Sequence, residues 1–242
     1  MIWTIYFVIL AYFILGFIGF YFINRKKEKK EAQKSWLKFI TYFLIVHLLF
    51  FSIAFMPLVF RVISVGIIAV GFYELFRIYG KAGYEKRTFF MASVALFSFL
   101  SLGFYFFSGL HAGLILFSFL ILSIFDSFSQ ITGQLWGRTG LLPKVSPQKT
   151  LEGLTGGAVV AVLSSYWLKD LVQGTVSEPV VLALGITVFA FLGDIAASYY
   201  KRNYHAKDFS RLLPGHGGFL DRFDSLIAGG AFVAWSGFMV GF

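Results

Sequence analysis

A chain of 242 residues that is 58% hydrophobic, 20% aromatic and 14% charged, with a mean hydropathy of +0.77, cannot be an ordinary soluble domain. The absence of cysteine excludes disulfides, thiolate zinc sites and thiol nucleophiles. The formal net charge of +9 comes from 21 Lys and Arg set against 12 Asp and Glu, and a surplus gathered in loops speaks first about topology.

Apolar runs of about twenty residues, the length that carries a helix across a hydrocarbon core of roughly 30 Å, recur along the chain. They predict spans at 2–23, 37–56, 57–79, 89–107, 109–130, 154–173, 179–199 and 220–241. A span must satisfy its own backbone hydrogen bonds, and these runs are continuous rather than alternating, which argues against a β-barrel. The fold class is therefore all-α: a polytopic transmembrane helical bundle of about eight spans. The first run has no basic region before it and no small-residue cleavage site after it, so it reads as a retained span and not a signal peptide.

The connections sort by charge. Loops 24–36, 80–88, 131–153 and 200–219 hold most of the cations, whereas those near Met56-Pro57, Ser108 and Val172–Pro179 hold almost none. The positive-inside rule then puts the four charged loops in the cytoplasm and both termini outside, giving a multi-pass protein of the cell membrane. The run from Arg25 to Lys38 reads as a topology anchor or as an attractor of an anionic lipid substrate or headgroups. Arg61 either snorkels to the outer interface or lines a polar cavity, and Glu74 and Arg77, three apart on a helix near its cytoplasmic end, either pair or touch substrate. Two regions follow: 1–107, N-terminal transmembrane helices, and 108–242, a C-terminal transmembrane region that carries the chemistry-bearing motifs.

The first motif lies in the third charged loop, reached from Asp126 and running to Gly157. Ser146, Lys149 and Thr150 form a hydroxyl–cation–hydroxyl set suited to gripping a phosphate. Gly153, Gly156 and Gly157 open the next span, where they serve either to aim free N–H groups at an anion or to pack helices closely.

The second motif, Gly193 to Ser225, gathers four of the 12 acidic groups, five of the 21 cations and two of the four histidines. Ionisable residues at membrane depth are a functional site by default. Asp194 shares a helical face with Ser198 and Lys201, and Asp221 and Asp224 share a face at the start of the last span. Carboxylates from two helix ends can hold Mg²⁺ with substrate phosphates completing the coordination. The other reading pairs them with Lys201, Arg202 and Arg222 as structural ion pairs, and that reading is preferred for Asp208. His216, between glycines, either bonds phosphate or fixes the loop.

At these residues the chain resembles the phosphatidate cytidylyltransferases, the CDP-diacylglycerol synthases. Ser198, Lys201, Arg202, Lys207, Asp208, Pro214, Gly215, His216, Gly217, Gly218, Asp221, Arg222 and Asp224 fall in register with that family's signature. Upstream, Ser146, Pro147, Lys149, Thr150, Glu152, Gly153, Gly156 and Gly157 match a second pattern. The resemblance covers the C-terminal half from Asp126 onward. It departs at Leu151, where members often carry an aromatic, and at Phe128-Ser129-Gln130, where they often have x-A-Y, without losing a charge.

The resemblance implies CTP plus phosphatidate giving CDP-diacylglycerol and pyrophosphate, with Mg²⁺, at the cytoplasmic face. The expected catalytic residues are Asp194, Asp221, Asp224, Lys201, Arg202 and Arg222. The expected metal ligands are Asp194, Asp221 and Asp224, with Asp126 as a further candidate. Ser146, Lys149, Thr150, Ser198, Lys207, His216, Gly217 and Gly218 are expected to bind substrate. The implied partners are CTP, phosphatidate or a related lipid phosphate, membrane lipids and a second copy of the chain, with no nucleic acid. The alternatives are a CTP-using enzyme on another lipid, such as an isoprenoid ether analogue or a polyprenol, and a transporter of an anionic solute.

Overall fold

The computed structural model describes residues 2–25, 28–172, 177–210, 212–213 and 217–240. Among them are eight long α-helices: α1 (Ile2–Asn24), α2 (Lys29–Phe55), α3 (Pro57–Lys81), α4 (Arg87–Phe107), α5 (Ala112–Trp136), α6 (Leu151–Trp167), α7 (Ser177–Asn203) and α8 (Leu220–Val240). They stand where the eight apolar runs predict them, and the protein is an all-α polytopic membrane protein. Five, α2 to α5 and α7, are long and apolar enough to cross a membrane, and the start of α1 is a shorter apolar helix.

The ends differ from the expected spans for a physical reason. Hydropathy marks where apolar side chains stop, whereas backbone hydrogen bonding continues into polar sequence. So α2 begins at Lys29 within the basic run, and α5 extends to Trp136. In the other direction α6 stops at Trp167, followed by the 3₁₀ turn Lys169–Leu171. Met56 alone separates α2 from α3, whose first position is Pro57, a residue with no N–H to leave unpaired.

One element was not expected from the sequence. Strands β1 (Gly140–Leu142) and β2 (Ser146–Thr150) form an antiparallel hairpin with Leu142 opposite Ser146 and Gly140 opposite Thr150. It runs directly into α6, whose N-cap is Thr150: the hydroxyl accepts the Gly153 N–H at 3.1 Å.

The most extensive packing joins α5 to α6, then α7 to α8 and α4 to α8. Glycine makes the first of these possible. A Cβ on Gly153 would lie 2.8 Å from the Ser129 carbonyl oxygen, one on Gly156 2.6 Å from Thr132 Oγ1, and one on Gly157 2.7 Å from the Phe125 carbonyl oxygen. Of the two uses weighed for this glycine set, close helix packing is the one the contacts display. Phe60, Phe104, Phe107, Phe117 and Ile121 are fully buried between the helices.

Candidate active site

The site is built where α5, α7, α8 and the β2–α6 junction meet. Asp194 lies nine residues before the end of α7, and Ser198, one turn on, donates from Oγ to Asp194 Oδ1 at 3.3 Å. Lys149, at the end of β2, forms an ion pair with Asp194 Oδ2, and its ammonium also stands 4.9 Å from the Phe191 ring centroid. The two motifs, 45 positions apart in sequence at these residues, thus meet side chain to side chain.

A second ion pair joins Lys201 of α7 to Asp221 Oδ1 of α8. Lys201 is buried and also faces the Phe209 ring at 5.2 Å. Asp221 Oδ2 accepts the N–H groups of Phe209, at 3.0 Å, and Gly218, at 2.8 Å. Both oxygens of Asp221 are therefore occupied in fixing the loop between α7 and α8. Gly218 has to be glycine, because a Cβ there would lie 2.6 Å from Asp221 Oδ2 and 2.7 Å from Phe209 Cβ. Gly217 adopts φ +85°, a left-handed conformation that glycine takes at little cost, and packs against the Asp208 carboxyl.

Asp224 is one turn further along α8, with Oδ1 accepting the Ser225 N–H at 2.7 Å. It feels the charges of Asp194, Lys201 and Asp221, and Asp126 of α5 feels those of Asp194, Lys149 and Arg222. Three helices therefore bring carboxylates within electrostatic reach of one another. Gly193 permits this at α7–α8, since a Cβ there would lie 2.8 Å from the Asp224 carbonyl oxygen.

The remaining expected residues fall as follows. Arg202 Nε donates to the Val145 carbonyl at 3.2 Å and Nη1 to that of Ala206 at 2.9 Å, tying the hairpin to the end of α7. Ser146 opens β2, Thr150 is the cap already described, and Lys207 is exposed in the α7–α8 loop. Leu213 N–H donates to the Gly217 carbonyl at 3.1 Å. His216 lies outside the described residues.

Two residues carry more than the sequence suggested. Glu152, half-buried in the first turn of α6, accepts the Arg138 N–H at 3.1 Å, the Thr139 N–H at 3.1 Å and the Thr139 hydroxyl at 2.9 Å. These hydrogen bonds, first those from backbone N–H groups, hold its carboxyl down at about 2. Glu74 is not partnered by Arg77. Its carboxylate accepts the N–H groups of Phe219 at 2.8 Å and Leu220 at 2.6 Å, together with the Ser210 hydroxyl.

Beside the carboxylates, an almost wholly apolar groove of about 230 Å³ runs between α3, α4, α7 and α8, lined by Phe89, Leu96, Phe97, Tyr199 and Leu220 among others, and reaches Asp224. Its walls suit hydrocarbon, and Asp224 is the charged side chain on its lining.

A carboxylate-only donor set is the chemistry of a hard divalent cation. Among the described residues no three His, Asp or Glu side chains are grouped closely enough to hold one ion by themselves. Two of the four carboxylates, Asp194 and Asp221, are paired with lysines. The set thus fits an ion that takes part of its coordination from substrate oxygens, as Mg²⁺ does with phosphates, more than a closed protein cage.

Residues 108–239 match the family described as "Cytidylyltransferase family". Among curated relatives, a protein named phosphatidate cytidylyltransferase from Staphylococcus saprophyticus is 40% identical over 121 residues, 49% of this chain and 46% of the relative. One of the same name from Staphylococcus epidermidis is 37% identical over 169 residues, 67% of this chain and 64% of the relative. A third, from Staphylococcus haemolyticus, is 36% identical over 137 residues, 54% and 52% of the two chains. The matches span about half to two thirds of the length of these relatives.

Proposed function

The chain belongs to the cytidylyltransferase family, and from that premise we propose that it condenses CTP with phosphatidate to give CDP-diacylglycerol and pyrophosphate, a step of phospholipid biosynthesis. The observation that carries the reading is the meeting of Lys149 with Asp194 and of Lys201 with Asp221, beside Asp224 and an apolar groove. A lipid phosphate needs hydrocarbon walls next to a polar centre, and that is the combination found here.

In the reaction an oxygen of the lipid phosphate attacks the α-phosphorus of CTP, and the bond from that phosphorus to the bridging oxygen of the β-phosphate breaks. The electron pair leaves on pyrophosphate. The attacking monoester is already anionic, so no strong general base is required. The barrier comes from bringing two polyanions together and from charge gathering on the leaving group, which cations reduce.

Lys149 and Lys201 stand at the carboxylate cluster and would exchange part of their pairing with Asp194 and Asp221 for phosphate oxygens. Arg222 and Lys207 would add to the phosphate field. Arg202, with two of its five donors on carbonyls, keeps the rest for an anion while holding the hairpin in place. Ser146, Ser198 and Thr150 would position CTP, and His216 and Gly217 would contribute to binding its phosphates, with Gly218 held in place by Asp221. Asp194 and Asp224, with Asp126 and Asp221, would hold Mg²⁺. When bound, that ion would neutralise phosphate oxygens and polarise the α-phosphorus. The reading places the site on the cytoplasmic side and allows a homodimer.

Radiolabelled CTP offered to the protein in vesicles containing phosphatidate, an ether-linked isoprenoid analogue or a polyprenol tests the substrate. Label is expected in a lipid product with phosphatidate. Label in one of the other lipids alone would reassign the acceptor, and label in none would overturn the reading.

A further inference from the structure

The first N–H groups of a helix have no intrahelical partner and are ordinarily capped by a nearby Ser, Thr, Asp or Asn. At the start of α8 the capping position is Phe219, which has no side-chain acceptor. Glu74, seven residues before the end of α3 and 145 positions earlier, supplies it: Oε1 accepts the Phe219 N–H at 2.8 Å and Oε2 the Leu220 N–H at 2.6 Å. The same carboxylate takes the Ser210 hydroxyl, whose oxygen in turn accepts the Leu212 N–H at 3.1 Å. One fully buried side chain therefore holds both the beginning and the end of the loop from Ser210 to Phe219.

Burying a carboxylate is costly unless its oxygens are bonded, and a negative group is favoured at a helix N-terminus. A side chain serving only to fill space between α3 and α8 would be apolar. Leu220 immediately precedes Asp221 and lies one turn before Asp224, so a shift of the α8 start moves both. Two more bonds tie the same part of the N-terminal half to α7: Tyr200 Oη donates to the Leu75 carbonyl at 2.8 Å, and Lys86 Nζ to that of Asn203 at 2.9 Å.

We infer that Glu74 is a positioning residue of the site, clamping the start of α8 and the Ser210–Phe219 loop so that Asp221 and Asp224 stand opposite Lys201 and Asp194. The inference rests, for its catalytic consequence, on the cytidylyl-transfer reading above. A misplacement of about 1 Å at reacting groups can cost on the order of a hundredfold in rate.

The test uses the full chain in lipid vesicles. Because the protein has no cysteine, a nitroxide on Leu212→Cys, an exposed position, reports loop order directly. Glu74→Gln is expected to sharpen the nitroxide spectrum and to lower kcat at saturating CTP by at least about tenfold in the protein that remains folded. Glu74→Asp, which keeps the acceptor oxygens, recovers part of both, and Arg77→Gln changes neither. An immobile label with parental kcat in Glu74→Gln would overturn the inference. So would a lowered unfolding temperature with kcat per folded molecule unchanged. If Glu74→Gln fails to accumulate, Ser210→Ala decides: it removes one of three donors and should loosen the label and cost a few-fold in kcat, and no change in either overturns the clamp. Should the parent transfer no cytidylyl group to any lipid, the functional reading fails while the label still decides whether Glu74 holds the loop.

Discussion

Lys149 and Asp194 form an ion pair that joins the strand before α6 to the middle of α7, and through it the two motif-bearing segments of the chain become one site. The same ammonium offsets the mutual repulsion of Asp194 and Asp126. In the proposed reaction this cation would move part of its attraction from the carboxylate to an incoming phosphate.

Lys149→Ala should therefore lower kcat by at least roughly tenfold, a loss of about 1.4 kcal/mol of transition-state stabilisation. Steady-state rates at saturating CTP measure it. A change confined to KM would make Lys149 a ground-state binder of CTP instead.

Asp224 and Asp208 separate a cluster carboxylate from a loop carboxylate. Asp224→Asn keeps the shape and removes a charge that faces Asp194 and Lys201, and the proposed Mg²⁺ would lose a ligand. Activity should fall by on the order of a hundredfold, with the Mg²⁺ concentration for half-maximal rate raised. Asp208, exposed and lying against Gly217, should tolerate Asn within about threefold, the range of a surface ion pair. Equal, mild losses in both would make the cluster an ion-pair network.

Much of the fold was legible because each span announces itself: an apolar run long enough to cross a bilayer has to be a helix. The motif carboxylates and lysines were legible because charge in such a chain is costly and so conspicuous. The hairpin was not, since Pro143 and Pro147 disguise it as a loop in a stretch with no alternating pattern. Nor was the partner of Glu74. Arg77 is its neighbour on the helix, and only the packing of α3 on α8 reveals that the donors come from Phe219 and Leu220. A lone Glu inside an apolar span was the available signal. The double use of Asp221, expected as a metal ligand, was hidden for the same reason: its backbone partners come from a loop whose path the sequence does not specify.

The hydrogen bonds at Glu152 predict a pH window. Its carboxyl is held at about 2 in the folded protein against an ordinary value near 4.5, so it contributes stability above the ordinary value and loses it as pH falls from there towards 2. Glu152→Gln should unfold at a lower temperature than the parent at pH 7, with the gap closing below about pH 4 and little change between pH 6 and 8. Thermal unfolding followed by circular dichroism in detergent checks this. A gap that is constant from pH 7 to pH 3 would mean that the Gln variant loses shape and not charge-assisted bonds.

Topology gives a separate prediction. Lys207, exposed in the α7–α8 loop, and Lys81, at the end of α3, belong to loops assigned to the cytoplasm, whereas Met56 stands at the uncharged α2–α3 connection. Single cysteines at Lys207 and Lys81 should react with an impermeant maleimide only from the cytoplasmic face, and one at Met56 only from the outer face. Labelling of Lys207→Cys from outside would invert the assignment.

The central claim is transfer of a cytidylyl group to a lipid phosphate, and release of pyrophosphate from CTP in vesicles tests it most directly. The account predicts release that depends on both phosphatidate and Mg²⁺, equals the CDP-diacylglycerol formed, and nearly vanishes in Asp224→Asn. Release of pyrophosphate at the same rate without any lipid phosphate, or none with phosphatidate present, would contradict it.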